Sequence, residues 1–185
     1  MRVLGIDPGL GRTGVAVVDG GPGALLLVHA ARLDTVPQTS EPSRLANLYE
    51  LVADVLQSYA PDIVAVEQLF FSTNRRTAMR VSEARGVIIC AIARDGRPVA
   101  EYTPTQVKEA VCGYGAARKQ QVVRMTRRLL SLESDADDVA DACAVAVCHH
   151  HRARLGALIQ TGRREQGASP LERAVARART RTASG

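Results

Sequence analysis

The chain has 185 residues, enough for one domain with a proper core, and nearly half of them are apolar while only six are aromatic. No apolar run approaches the roughly 18 residues of a membrane span, and the Met-Arg-Val-Leu-Gly opening enters a strand rather than a cleavable leader. A cytoplasmic location and no membrane partner are expected. The net charge is +5, of which +4 falls within residues 162–185. Any nucleic-acid surface on the remainder must therefore come from clustering rather than overall charge.

Residues 2–7, 13–19 and 24–33 read as three strands, separated by Gly9-Leu10-Gly11-Arg12 and Asp19-Gly20-Gly21-Pro22-Gly23. Turns of that composition predict an antiparallel meander. Ser43–Tyr59 carries Leu45, Leu48, Leu51, Val52 and Val55 at helical spacing and is stopped by Pro61. A fourth strand covers Asp62–Gln68, and a helix follows over 74–94. Pro98–Tyr102 is a fifth strand, and Thr103-Pro104-Thr105-Gln106 then opens a helix with a cap, an early proline and a reciprocal Gln. Gly113-Tyr114-Gly115 breaks that helix, and two more span about 117–132 and 137–154.

The expected class is α/β: a mixed five-stranded sheet, three antiparallel strands then two parallel, covered by helices. The domain is placed at 1–156. Residues 157–185, rich in Gly, Ala, Ser, Thr and Arg, read as a basic disordered tail that adds weak phosphate affinity or solubility. The four cysteines lie in apolar segments without a Cys-x-x-Cys pair and read as reduced, buried small residues. His149, His150 and His151 read as cations completing the C-terminal turn of the last helix.

Four carboxylates are the chemical signal. Asp7 ends the first strand and Glu67 the fourth, where a buried charge is costly without a cation. Asp138 and Asp141, three apart, share a helix face, although Asp137 does so equally well with Asp141. Each also has a simpler explanation: Asp7 can shape the turn at Pro8-Gly9, and Asp135, Asp137 and Asp138 can complement a helix dipole. Glu67, at an apolar strand end, is the hardest to explain that way. Convergent hard oxygen donors suit Mg²⁺ or Mn²⁺, and two such ions about 4 Å apart would serve phosphodiester hydrolysis.

Cations sit where helix dipoles disfavour them: Arg75 and Arg76 at one start, Arg118 and Lys119 at another, and Lys108 just beyond a third first turn. That placement reads either as phosphate cradles or as solvated charge. Phe70 and Phe71, the only phenylalanines, follow Glu67 in a loop, where one could stack on an unpaired base or both could tuck beneath the next helix.

In order along the chain, Gly5-Ile6-Asp7-Pro8-Gly9-Leu10, Val66-Glu67-Gln68-Leu69-Phe70, Glu83-Ala84-Arg85-Gly86-Val87, Gln106-Val107-Lys108 and Asp138-Val139-Ala140-Asp141 resemble the RuvC family of Holliday-junction resolvases, in the ribonuclease H-like superfamily. The resemblance covers residues 1–155 and implies helices on both faces of the sheet. It selects Asp7, Glu67, Asp138 and Asp141 as ligands of Mg²⁺, two ions per site with Mn²⁺ as a substitute. It assigns Phe70 to base stacking, and Lys108 and Lys119 to phosphate contacts beside the scissile bond. A homodimer cutting four-way junction DNA symmetrically in recombination and repair is implied, together with the RuvA–RuvB branch-migration complex. The apolar face of the helix at 74–94 is the expected dimer surface. The alternatives are a YqgF-like RNA-processing nuclease of the same superfamily, a junction-binding protein without catalysis, and an actin-like kinase, for which the chain is too short.

Overall fold

The computed structural model describes residues 1–21, 24–68 and 75–167; for 75, 76 and 157–167 only the backbone is described. The elements run β1 (Arg2–Asp7), β2 (Arg12–Gly20), β3 (Leu25–Asp34), α1 (Glu41–Tyr59), β4 (Ile63–Glu67), α2 (Arg75–Arg94), β5 (Val99–Tyr102), α3 (Pro104–Cys112), α4 (Lys119–Leu130) and α5 (Asp137–Gly167). The sheet order is β3-β2-β1-β4-β5. β1–β2 and β2–β3 are antiparallel, whereas β1–β4 and β4–β5 are parallel.

Alternation along the strands divides two cores. Leu4, Ile6, Val15, Val17, Val64 and Val66 pack with Leu48, Val52 and Leu56 of α1 and Ile88 and Ile92 of α2. The odd positions of β1 and β4 and the even positions of β2 face the other way. Val3, Ala16, Val18 and Ala65 pack with Val107, Val122 and the 139–148 stretch of α5. Apart from Asp141, that stretch is buried, as expected of a helix that is apolar nearly all round.

Its closeness to the sheet depends on two glycines. A Cβ on Gly5 would overlap the Ala142 carbonyl and lie 2.8 Å from the Ala146 nitrogen, and one on Gly14 would overlap the Asp138 carbonyl. The first turns of α5 therefore rest directly on β1 and β2.

Local signals account for the boundaries. Ser40 caps α1, its hydroxyl accepting from the Ser43 amide, and Ala60 ends it in the left-handed conformation. The capping box of α3 is present: the Gln106 amide donates to Thr103 Oγ1, and the Thr103 amide donates to Gln106 Oε1.

Four expectations change. α5 runs to Gly167 instead of ending near 154, so part of the region read as a disordered tail is helical. The histidines thus lie mid-helix: buried His150 has Nε2 3.0 Å from the Val18 carbonyl, and buried His149 has Nδ1 2.8 Å from the Tyr102 hydroxyl. Cys90 is exposed, unlike buried Cys143 and Cys148. The apolar face of α2 is used inside, through Ala84, Ile88 and Ile92. Met79, Gly86 and Cys90 lie exposed on its outward side.

The chain falls into two units, Met1–His150 and His151–Gly185. Among the described residues, no helix is long and apolar enough to cross a membrane.

Candidate active site

Asp7 and Glu67 meet for a reason built into strand periodicity. Val3 and Ala65 face α5, so Asp7 and Glu67, each an even number of residues further on, face it too. The parallel register pairs Ile6 with Val66, and one step further sets the two acids abreast. The loop after Asp7 is held firmly. Thr13 Oγ1 donates to the Gly9 carbonyl at 2.6 Å, Thr35 Oγ1 donates to the Leu10 carbonyl at 2.5 Å, and Arg44 Nε donates to Thr35 Oγ1 at 3.0 Å.

Gly14 pairs with Asp7 across β1–β2 and also receives the backbone of Asp138, which brings the start of α5 over Asp7. Sequence spacing could not foresee this contact. A glycine opposite an acid-bearing strand end was the available clue.

The carboxyls sense one another. Burial pushes Asp7 up to about 8, and the charges of Asp141, Glu67 and Asp138 add to the rise while Lys119 opposes it. Glu67 is pushed up to about 7 by burial and Asp141, against the pull of Lys119 and Lys108. Asp141 is also raised, chiefly by burial, despite accepting a hydrogen bond from Lys119. Asp137 and Asp138 both act on Asp141; Asp137 also acts on Lys119, and Asp138 also acts on Asp7.

Lys119 is the cation among these acids, with Nζ 2.9 Å from Asp141 and 3.9 Å from Asp137. Burial alone would lower its pKa. The hydrogen bond and charge of Asp141, with Asp137 and Asp7 behind, raise it instead. Its place at the first residue of α4 is stabilised by these carboxylates rather than by the helix dipole, which opposes it.

A pocket of about 320 Å³ opens beside this cluster, with Glu67, Asp141, Lys108 and Lys119 on its wall and Val107 and Val122 as apolar lining. Lys108, from α3, thus reaches the same pocket as Lys119. Arg118 caps α4 through its backbone, its amide donating to Gln121 Oε1 at 2.8 Å; its side chain is exposed and is not part of the pocket wall. Arg75 and Arg76 begin α2, but their side chains, like Phe70 and Phe71 entirely, lie outside the described residues.

Among the described residues, no three His, Cys, Asp or Glu side chains form a ready-made metal ligand set. The donor chemistry nevertheless suits a hard cation. Carboxyls pushed up by burial, and further by one another's charge, are groups that a divalent ion would ionise and draw together.

A mixed five-stranded sheet with helices on both faces and acids gathered at one strand edge defines the ribonuclease H-like class of α/β proteins. Residues 3–149 match the family model described as crossover junction endodeoxyribonuclease RuvC. Relatives with that same description include the following two. One, from Desulforamulus reducens, is 48% identical over 80% of this chain and 93% of its own. The other, from Syntrophomonas wolfei, is 43% identical over 90% and 98%. A solved structure of Thermus thermophilus RuvC in complex with Holliday junction substrate aligns with a TM-score of 0.79 and 36% identity, covering 84% of this chain and 96% of that one. The chain belongs to the RuvC family of crossover junction endodeoxyribonucleases.

Proposed function

We propose that this protein is a structure-selective DNA endonuclease that resolves four-way junctions by hydrolysing phosphodiesters symmetrically in two opposing strands, in recombination and repair. The observation that carries this reading is the meeting of Asp7, Glu67 and Asp141 at the edge of a pocket whose cations are Lys108 and Lys119. The family and the solved junction complex of its Thermus relative support the substrate.

Family membership is consistent with divalent-metal chemistry; the finer reading is Mg²⁺, two per site, with Mn²⁺ able to substitute. Asp7, Glu67, Asp138 and Asp141 are the residues that would hold it. When bound, such an ion supplies an activated water and charge neutralisation at phosphorus. The protein's own groups do the rest. The glycine-seated start of α5 keeps Asp138 and Asp141 near the strand ends. Lys119 and Lys108 face the pocket, where they neutralise charge developing on the phosphate. Phe70, next to Glu67 in sequence, is assigned to base stacking by the family pattern. Arg75, Arg76 and Arg118 are proposed to contact more distant phosphates.

Two-fold cutting calls for a homodimer on a quasi-two-fold substrate. The outward strip of α2, with Met79 64% exposed and Gly86 and Cys90 nearby, supports that helix as the dimer surface. Cooperation with RuvA–RuvB and a cytoplasmic site of action complete the proposal.

The direct test is a synthetic mobile four-way junction incubated with Mg²⁺, beside linear duplex. Paired nicks in opposite arms, absent from the duplex, are expected. Intact junctions, or cutting of structured RNA in their place, would overturn the proposal.

Lys119→Gln should cut more slowly by about 10²-fold or more, since it removes a cation from the phosphate. It should also lower the melting temperature of the metal-free protein above neutral pH, where Asp141 and Asp7 lose their only close counter-charge among the described residues. Single-turnover cleavage and thermal melts in EDTA read the two effects.

A further inference from the structure

A second groove, of about 470 Å³, lies alongside α4, lined by Lys119, Gln120, Val123, Arg124, Arg127 and Asp137. Lys119 belongs to both this groove and the pocket at the acids, so the two adjoin through that residue. Lys119, Val123 and Arg127 follow one another at i, i+4 and i+8, with Gln120 and Arg124 beside them, so one helix face supplies the whole basic wall. Three cations face one carboxylate along it.

The arginines are poorly employed by the fold. Arg124 is exposed and makes no hydrogen bond or ion pair among the described residues. Its position in the middle of α4 gives it nothing to gain from the helix dipole, which acts within the terminal turns. Arg127 reaches only Asp135, at 3.9 Å, and that carboxylate is fully exposed to water. Its Nε is buried with no acceptor. Arg124 without a partner among the described residues and Arg127 with only a distant, water-exposed one, both on the wall of a basic groove, suit an anionic oxygen ligand, and a phosphodiester meets the bidentate geometry of arginine.

We propose that this groove is a second backbone-phosphate site, which takes a phosphodiester of the same DNA strand a few nucleotides from the one cut at the acids. The inference rests on the nuclease reading of the adjoining pocket. Arg124 and Arg127 lie five and eight residues beyond Lys119, roughly 7.5 and 12 Å along the helix axis. A strand carries one phosphate about every 3.4 Å of duplex axis, so the arginines are two to four nucleotides away. Contacts of this type read no bases; they set where along the strand the acids act.

The experiment uses the full chain, a labelled four-way junction and EDTA, with dissociation constants measured across a series of salt concentrations. Arg124→Gln should weaken binding about 3- to 10-fold and flatten the log–log salt dependence by about one phosphate's worth, close to 0.9. Arg127→Gln should act in the same direction, with a thermal melt confirming that it folds. Arg94→Gln, at the far end of α2, should leave the slope unchanged. An Arg124→Gln affinity and slope equal to wild type would overturn the inference even if wild type cuts junctions with Mg²⁺. A wild-type protein that neither binds nor cuts junctions would instead remove the nuclease reading, and this inference with it.

Discussion

Asp7→Asn is expected to lose junction cleavage by about 10³-fold or more while retaining junction binding, and at the same time to make the metal-free protein more stable in mild alkali. The two effects share a cause. The carboxyl is buried against Asp141, Glu67 and Asp138 and titrates near 8 in the folded protein, against an ordinary value near 3.8. The folded chain therefore holds a proton that the unfolded chain releases between those limits. Stability is full below pH 4, and the contribution is lost as pH rises towards 8. Glu67, at about 7, deepens the decline over the same window. Asparagine has no proton to lose, so the variant should escape most of Asp7's share. A gain of about 2–3 kcal/mol at pH 8.5, several degrees in melting temperature, should vanish at pH 4. Melts in EDTA at the two pH values read it, and added Mg²⁺ should narrow the gap by stabilising the wild type. A variant that cuts normally would remove Asp7 from the mechanism. One whose melting follows the wild-type pH curve would show that Asp7 does not carry the buried charge.

Gly14→Ala should be the most damaging change of a single methyl group. The added carbon would meet the Asp138 carbonyl, a backbone atom that cannot rotate aside. α5 must then lift from β2, and its first turns carry Asp138 and Asp141. Overpacking of this kind costs about 1–3 kcal/mol, and a displacement near 1 Å at a reacting centre can cost about 10²-fold in rate. Folded protein with slow cutting and unchanged junction affinity is the expected outcome. Gly21→Ala makes the contrast, since nothing lies within 4 Å of its would-be Cβ, and stability and rate should stay near wild type. Equal behaviour of the two variants would mean that α5 is not held in place by contact with Gly14.

Much of this architecture is written locally. Glycine-rich turns separate β1, β2 and β3, and Thr103 with Gln106 starts α3 where expected, because capping and turn chemistry act within a few residues. The acids, too, are legible one by one. Glu67 breaks an apolar strand pattern, and Asp141 interrupts a run of Val, Ala and Cys.

Their pairing is another matter. Spacing along a helix leaves Asp137 and Asp138 equivalent as partners of Asp141. In the folded chain both act on Asp141, but Asp138 also acts on Asp7, while Asp137 lines the arginine groove beside Lys119. The histidines show the same divide: a terminal cluster in the linear pattern becomes, with α5 extended to Gly167, a buried pair held by Val18 and Tyr102.

Residue order alone thus settled the element types and which side chains bear charge, since these follow from periodicity and neighbours a few positions away. Folding in three dimensions chose the closeness of α5 to Gly5 and Gly14, the seat of Lys119 on Asp141 and the groove beneath Arg124. Each of these is a contact between segments many residues apart, and its strength depends on distances that no one-dimensional spacing contains.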